Sequence, residues 1–230
     1  MITGMVLQTY FSIVHARSAA FFARQAAQLE RQQVATYDAG RDGEILAYAC
    51  GSIFSSIAFL EALANELFAD AAKADGGHLA SLDPSLRARV AELGTTDRVE
   101  RAPLLKKFAT LLRAAGKTPP SLGCAPGQNV KTSLQLRNGL VHYKAHWLDI
   151  GTANMVRPGN LLQSDLYTQI RRRFAPRSAG PSGGQSSDQW LGHGCAAWVL
   201  ESAIQYADEV AAALGITPLH HHVREQLRTE

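Results

Sequence analysis

Residues 44–72, EILAYACGSIFSSIAFLEALANELFADAA, contain the most apolar run of this chain, and this run indicates the fold class. The stretch from Ile45 to Leu60 carries no charge and is bounded by Glu44 and Glu61. A membrane-spanning helix needs about 20 apolar residues. This run has only 16 residues and contains three serines. We therefore expect a buried central helix of a soluble protein.

The remaining chain also favours helices. Long apolar runs with helical periodicity recur, and no convincing strand pattern appears after the first few residues. We predict one all-α domain over residues 1–230, a bundle of long antiparallel helices with additional C-terminal helices and a flexible Pro/Gly/Ser-rich loop at 175–187. A polar turn is expected at 40–43, and Asp83-Pro84 is a helix-start signal. The predicted helices cover residues 9–33, 44–72, 83–94, 103–115, 129–147, 161–174 and 188–214.

Charge and cysteine usage restrict the class of protein. The 230 residues carry a formal net charge of +3, and the sequence pI is about 8.8. This mildly basic balance permits a nucleic-acid partner without demanding one. Cys50, Cys124 and Cys195 lie far apart, as expected for reduced thiols of a cytoplasmic protein. Residues 1–13 lack a basic leader, so no signal peptide is expected.

The candidate functional residues lie at positions 137–142, RNGLVH. At about 100° per residue in a helix, Asn138 and His142 share one face and Arg137 flanks it. The apolar stripe of this helix is expected to consist of Leu136, Leu140, Tyr143 and Trp147. The polar stripe, which has no acidic member, is expected to consist of Lys131, Gln135, Asn138, His142 and His146.

Arg-Asn-x-x-x-His followed by Tyr and Lys resembles the signature of the HEPN superfamily, whose helical domains often carry an Arg-x(4–6)-His motif. Residues 55–67, SSIAFLEALANEL, are similar to the earlier helix of several HEPN families, with Glu61 and Asn65 one turn apart. The resemblance covers residues 43–149. It implies a metal-independent endoribonuclease that is active as a homodimer, with two motifs meeting in one cleft.

The residue types fit that chemistry. RNA supplies its own nucleophile, the 2′-hydroxyl, so cleavage requires proton transfer and charge stabilisation, and no metal or cofactor is expected. His142 is the expected proton-transfer group, because imidazole titrates near neutrality. Arg137 is expected to hold the phosphate, and Asn138 to orient the substrate or the His142 ring. The expected products are a 2′,3′-cyclic phosphate and a 5′-hydroxyl.

Glu61 and Asn65 are expected to support this site. Glu61 lies on a largely apolar helix face, and a buried carboxylate needs a partner, for which Arg137 is one candidate. The pair either fixes the Arg137 rotamer or only holds two helices together. In HEPN toxins controlled by a partner nucleotidyltransferase, the modified tyrosine follows the histidine after one residue. Tyr143 follows His142 directly, which puts that control in doubt and leaves a different antitoxin open.

Other candidates are weaker. The arginine run at 171–173 could either contact a phosphate backbone or interact favourably with the dipole of its helix. Three adjacent histidines, His220, His221 and His222, indicate metal binding by composition only, because neighbours on a helix point apart. The weaker RNA-binding candidates are Lys131, Gln135, His146, Arg171, Arg172 and Arg173.

Three functions remain open on the sequence alone. The first is an endoribonuclease of HEPN type that acts in a toxin–antitoxin system or in phage defence. The second is a non-catalytic HEPN-like module that binds RNA, nucleotide or a protein partner. In the third, the protein is a plain helical interaction protein and the Arg137/His142 spacing is accidental.

Overall fold

The computed structural model describes residues 10–33, 38–142, 165–174 and 190–230. All regular structure in these ranges is helical, which confirms the predicted all-α class. The α-helices are α1 (Phe11–Gln33), α2 (Ala39–Ala71), α3 (Pro84–Gly94), α4 (Asp97–Glu100), α5 (Leu104–Ala114), α6 (Gly127–Val141), α7 (Asp165–Arg173) and α8 (His193–Leu214). Short 3-10 helices lie at Gly77–Leu79 and His221–Leu227.

Helices α1 and α2 pack against each other in antiparallel directions along most of their length. Ser12 near the start of α1 contacts Glu66 near the end of α2, whereas Phe22 lies against Gly51. The buried side of α1 is made of alanines, whose small side chains allow close approach of the neighbouring helices. These alanines are Ala16, Ala19, Ala20, Ala23, Ala26 and Ala27. Ala23, Ala49 and Ala196 form one buried cluster where α1, α2 and α8 meet.

A buried carboxylate from α2 holds the first turn of α1. The backbone N–H of Ser12 donates to Glu66 Oε1 at 2.9 Å, and the Ser12 hydroxyl donates to Glu66 Oε2. N–H groups in the first helical turn have no intrahelical acceptor, and the helix dipole favours a negative charge there. Beside this cap, Tyr10 Oη donates to Asp70 Oδ1 at 2.9 Å, and Lys73 Nζ lies 2.7 Å from the same oxygen. These contacts fix the entry into α1 against the end of α2.

Helix α6 is fixed by its apolar side and by its first residue. Leu136 is fully buried and Leu140 packs partly buried beside it. They belong to a cluster that also contains Ile53, Ile170, Trp190, Leu191, Cys195 and Val199. Gly127 begins the helix against the preceding loop, where an added Cβ would lie 2.1 Å from the carbonyl oxygen of Ser121. Only glycine permits this approach, which positions the start of α6.

The structure corrects the predicted starts of two helices, α2 and α8. The predicted turn at 40–43 lies inside α2, because the Asp38 carboxylate accepts the Arg41 N–H at 3.1 Å and starts the helix at Ala39. Helix α6 is described as far as Val141, with His142 as its C-terminal cap, and its predicted continuation to Trp147 lies outside the described residues. Helix α8 begins at His193 and not at Asp188. The predictions for residues 143–164, 175–187 and 188–189 lie outside the described residues.

The predicted starts and ends of the other long helices agree more closely. Asp83 caps α3 by accepting the Ser85 N–H at 2.8 Å, and Pro84 is the first helical residue. Helix α5 lies within the predicted 103–115 and is followed by Gly116, which adopts φ +70°. Local start and stop signals therefore locate these helices well.

Helix α2 is the central helix of the structure. It contacts α1, α3, α5, α6 and α8. By length and composition alone it is also the one described helix apolar enough to cross a membrane, with a mean hydropathy of 1.6 over its most apolar 18-residue window. Of that window, 44% is buried inside the protein, and its serines Ser52 and Ser56 are fully buried. The helix therefore has the burial of a core element along one side and an open face along the other.

Candidate functional site

The open face of α2 forms the floor of a groove of about 460 Å³ between α1 and α6. The lining residues of α2 recur at helical spacing: Phe54, Ile57, Ala58, Glu61, Ala62 and Asn65. His15 lines the groove from α1, and Arg137 and Val141 line it from α6. Three helices distant in sequence thus bring an imidazole, a carboxylate, an amide and a guanidinium to one opening.

Arg137 and Glu61 form an ion pair across this groove. Arg137 Nη2 lies 3.8 Å from Glu61 Oε1, and the two side chains are 29% and 36% exposed. This distance is too long for a direct hydrogen bond. The carboxylate therefore holds the guanidinium electrostatically while its donor N–H groups can still meet an anion.

Lys107 of α5 lies behind the groove and contacts both polar residues of the α2 floor. Its side chain is only 8% exposed, and its Nζ lies 3.9 Å from Glu61 Oε2. The same Nζ donates to Asn65 Oδ1 at 3.0 Å. Because an ammonium group only donates, this bond assigns the amide oxygen to Lys107 and leaves the Asn65 NH₂ group as a donor toward the exposed side.

The site has an excess of positive charge. Glu61 is the only acidic side chain among the described residues that line the groove, and it lies between the cationic side chains of Arg137 and Lys107. Partial burial lowers the effective dielectric constant around these side chains, which strengthens their electrostatic interactions relative to bulk water. An anion at the groove mouth would meet donors of Arg137 and Asn65 that no other described residue occupies, so the arrangement suits a phosphate group.

The other members of the motif lie beside the groove and do not line it. Asn138 and His142 are exposed, as are Lys131 and Gln135 earlier on α6, so the predicted polar stripe is exposed as far as it is described. Arg137 shares its face with Val141, one turn later. His142 directly follows Val141, which places its exposed ring next to the C-terminal end of the α6 wall. His146 lies outside the described residues.

Sequence reasoning missed two residues of this site, Lys107 and His15. Lys107 lies in a segment whose pattern indicates only an amphipathic helix, and it reaches Asn65 across 42 positions of sequence. His15 lies four residues after Phe11, and the two rings are 6.2 Å apart. Neither residue has a local motif that marks it, because only the packing of α1 and α5 on α2 brings them to the groove.

The C-terminal arginine run of α7 is only partly described. Arg172 and Arg173 are exposed, and the Arg171 side chain lies outside the described residues. The guanidinium of Arg173 stacks over the Trp198 ring at 4.7 Å, a cation–π contact with α8. This contact gives Arg173 a packing partner, and an RNA contact by Arg172 or Arg173 remains a prediction.

The three adjacent histidines have different environments. His220 is buried, and its Nε2 lies 3.1 Å from Asp208 Oδ1, which also pairs with Arg224. Burial outweighs the nearby Asp208 carboxylate and lowers the pKa of His220. His221 and His222 are exposed. Among the described residues, no group of three or more His, Cys, Asp or Glu side chains is arranged to hold a metal ion.

Comparisons with known proteins found no relative of this chain. No family model matches it, and no curated protein or solved structure matches it.

Proposed function

We propose that this protein is a metal-independent endoribonuclease of HEPN type that acts as a homodimer. The 2′-oxygen of RNA attacks the adjacent phosphorus, the bond to the 5′-oxygen breaks, and a 2′,3′-cyclic phosphate and a 5′-hydroxyl result. Arg137 stabilises the charge that develops on the phosphate oxygens. His142 transfers a proton, and Asn138 orients the substrate beside it.

The observation that carries this proposal is the way in which Glu61 holds the Arg137 guanidinium at the groove. The guanidinium is held at the groove by Glu61 at 3.8 Å, and within the described part of the chain its N–H groups make no hydrogen bond. Arginine paired only for structure commonly makes direct, bidentate bonds to its carboxylate. A guanidinium that is positioned and still has free donors is suited to bind a phosphate, and the Lys107-oriented Asn65 amide supplies a further donor nearby.

The positions of Arg137 and His142 explain why two chains are proposed. Five residues at about 100° each place the two side chains about 140° apart around α6. Arg137 therefore lines the groove while His142 is exposed on another side of the helix. A second copy opposite α6 would bring its own His142 toward the Arg137 of the first. Phe54 and Val141, which are 38% and 54% exposed at the groove, supply apolar surface for such contact.

The second candidate function is a non-catalytic module that binds RNA, nucleotide or a protein partner at the same groove. The observation that favours it is that His142 does not line the groove of its own chain. A groove that Arg137 and Asn65 line without His142 would bind a phosphate but lack the motif histidine that cleavage is proposed to require.

One experiment separates the two functions. Purified full-length protein is incubated with mixed RNA in EDTA, and the products are analysed for 2′,3′-cyclic phosphate ends. The nuclease predicts cleavage that His142→Ala and Arg137→Ala each abolish, while the exposed control His222→Gln leaves the rate unchanged. RNA binding without cleavage by the wild-type protein would support the non-catalytic module. Absence of both binding and cleavage would overturn the proposed function.

The biological setting follows from this activity as part of the proposal. A cytoplasmic endoribonuclease that needs no metal or cofactor must be restrained in the cell, which fits a toxin–antitoxin or phage-defence system with a protein partner. Co-expression of the wild-type chain with and without neighbouring genes, compared with His142→Ala, tests this setting through growth of the host.

A further inference from the structure

The groove of a single chain contains an imidazole that the motif does not include. His15 of α1 lines the same groove of about 460 Å³ as Arg137, Glu61 and Asn65, whereas His142 lies outside it. If a phosphate binds to Arg137, His15 is the histidine that faces that space among the residues that the structure describes.

The placement of His15 is fixed by contacts on both sides of it in α1. One turn earlier, Ser12 is bound through its backbone and side chain to the buried Glu66 of α2. The ring of Phe11 lies 6.2 Å from the His15 ring at an angle of 45°. One residue later, Ala16 is fully buried in the main core. The backbone that carries His15 is therefore held against α2, and the imidazole is half-buried at the groove wall.

We propose that His15 is a catalytic residue, the general acid that protonates the leaving 5′-oxygen. The inference rests on the proposed ribonuclease function and adds a proton donor from α1 to the α6 motif. In the cleavage step the bond between the 2′-oxygen and phosphorus forms while the bond between phosphorus and the 5′-oxygen breaks. His142 of the second copy takes the proton of the 2′-hydroxyl, and His15 gives its proton to the 5′-oxygen. Water then returns both imidazoles to their starting protonation states.

The surroundings assign the acid role to His15 and the base role to His142. In the complex, the imidazole of His15 would share the groove with the bound phosphate and the Glu61 carboxylate. Arg137 and, behind the wall, Lys107 are the cations that offset them. His142 lies at the exposed end of α6, where no described acidic residue lines the adjacent wall.

The test uses substrates that differ in the leaving group. The first is an oligoribonucleotide that the wild-type protein cleaves at a mapped bond. The second carries a sulfur in place of the bridging 5′-oxygen at that bond, so that the leaving thiolate needs no proton. Loss of a general acid should slow cleavage of the first substrate but not of the second. Loss of a general base should slow both.

For His15→Gln we expect the cleavage rate on the oxygen substrate to fall by about 100-fold or more, which is the usual scale of general acid catalysis. On the sulfur substrate the rate should stay within a few-fold of the wild-type rate. His142→Ala should lose activity on both substrates, and His222→Gln on neither. His15→Asn, which also lacks an imidazole, should behave like His15→Gln and guards against an effect of side-chain size. Circular dichroism and thermal unfolding confirm that each variant is folded.

Two results would overturn the assignment. One is an unchanged rate for His15→Gln on the oxygen substrate, and the other is an equal loss on both substrates by a folded variant. In either case cleavage by the wild-type protein would leave the proposed function in place. If the wild-type protein cleaves neither substrate, the proposed function itself is wrong and the acid role of His15 is overturned with it.

Discussion

Arg137 of α6 and Glu61 of α2 face each other across the groove with 3.8 Å between Nη2 and Oε1. The pair joins the helix of the Arg-x4-His motif to the central helix of the fold. Glu61 also lies 3.9 Å from the buried Lys107 ammonium, so one carboxylate links three helices. The guanidinium that we assign to phosphate binding is therefore positioned by groups that never touch the phosphate themselves.

Replacing Arg137 should impair the chemistry more than the fold. We expect Arg137→Ala to lower kcat/KM by about 100- to 1,000-fold, the range found when a charge-stabilising donor is removed. Arg137→Lys should recover only part of this loss, because an ammonium lacks the planar pair of donors. Steady-state cleavage of a labelled RNA measures the effect. Arg89→Ala, at an exposed position of α3, is the control, and an equal loss there would contradict the assignment.

Replacing Glu61 should act on the rate through Arg137. Glu61→Gln keeps the shape of the side chain but removes the charge that holds the guanidinium, so we expect kcat to fall by about ten-fold or more, as for the loss of a supporting partner. Lys107→Met should also lower kcat, because Asn65 loses its bond to the ammonium. Combining Lys107→Met with Glu61→Gln should cost less than the product of the single effects if both act through one network. Independent, multiplicative losses would argue against this coupling.

Glu66 should be important for stability. Glu66→Ala removes a buried carboxylate that accepts both the N–H and the hydroxyl of Ser12, and we expect the free energy of unfolding to fall by about 1–3 kcal/mol. Urea unfolding followed by circular dichroism measures the change. Glu92→Ala, at an exposed position of α3, should change it by less than about 0.5 kcal/mol. Similar effects of the two substitutions would contradict the capping role.

Stability should depend on pH through His220. Burial lowers the pKa of His220 below its usual 6.5, so the folded state binds its proton less readily than the unfolded state. The contribution of this group is present above about pH 6.5 and is lost as the pH falls through the lower pKa of the folded state. The free energy of unfolding should therefore decrease on acidification below about pH 6.5. In His220→Gln this decrease should be smaller, and an identical pH profile would contradict the prediction.

The cysteines should differ in reactivity. Cys124 is exposed, whereas Cys195 is buried, and burial raises the pKa of the Cys195 thiol far above its usual range. Because the thiolate is the reactive form, a thiol reagent should modify Cys124 rapidly and Cys195 only on unfolding. Peptide mapping by mass spectrometry after timed labelling gives both rates. Modification of Cys195 in the folded protein at the rate of Cys124 would show that α8 opens more easily than its packing indicates.

Local sequence signals located most of the helices and, among the residues that line the groove, Glu61, Asn65 and Arg137. Asp83-Pro84 marks the start of α3, and helical spacing placed Glu61 and Asn65 on one face of α2. The suggested pairing of Glu61 with Arg137 is present in the structure, whereas its role in activity stays a prediction.

The residues that sequence reasoning missed depend on contacts between distant segments. Lys107 and His15 gain their roles only when α5 and α1 pack on α2, and no pattern in their own helices records that packing. The start of α2 was misplaced because Gly40 and Gly43 indicate a turn. Two glycines cost a helix about 1 kcal/mol each relative to alanine, but the Asp38 cap and the packing of α2 offset this cost. The local Asp38 cap thus outweighs the two glycines at this boundary.

The contact among Ala23, Ala49 and Ala196 has a consequence for the width of the groove between α1 and α6. These three methyl groups lie where α1 packs on α2 and α8, and α1 is the element that carries His15. A bulkier side chain at this junction would lift α1 outward and widen the gap between its imidazole and the α6 guanidinium. The spacing of two groups that share one opening thereby depends also on interior alanines that do not line it.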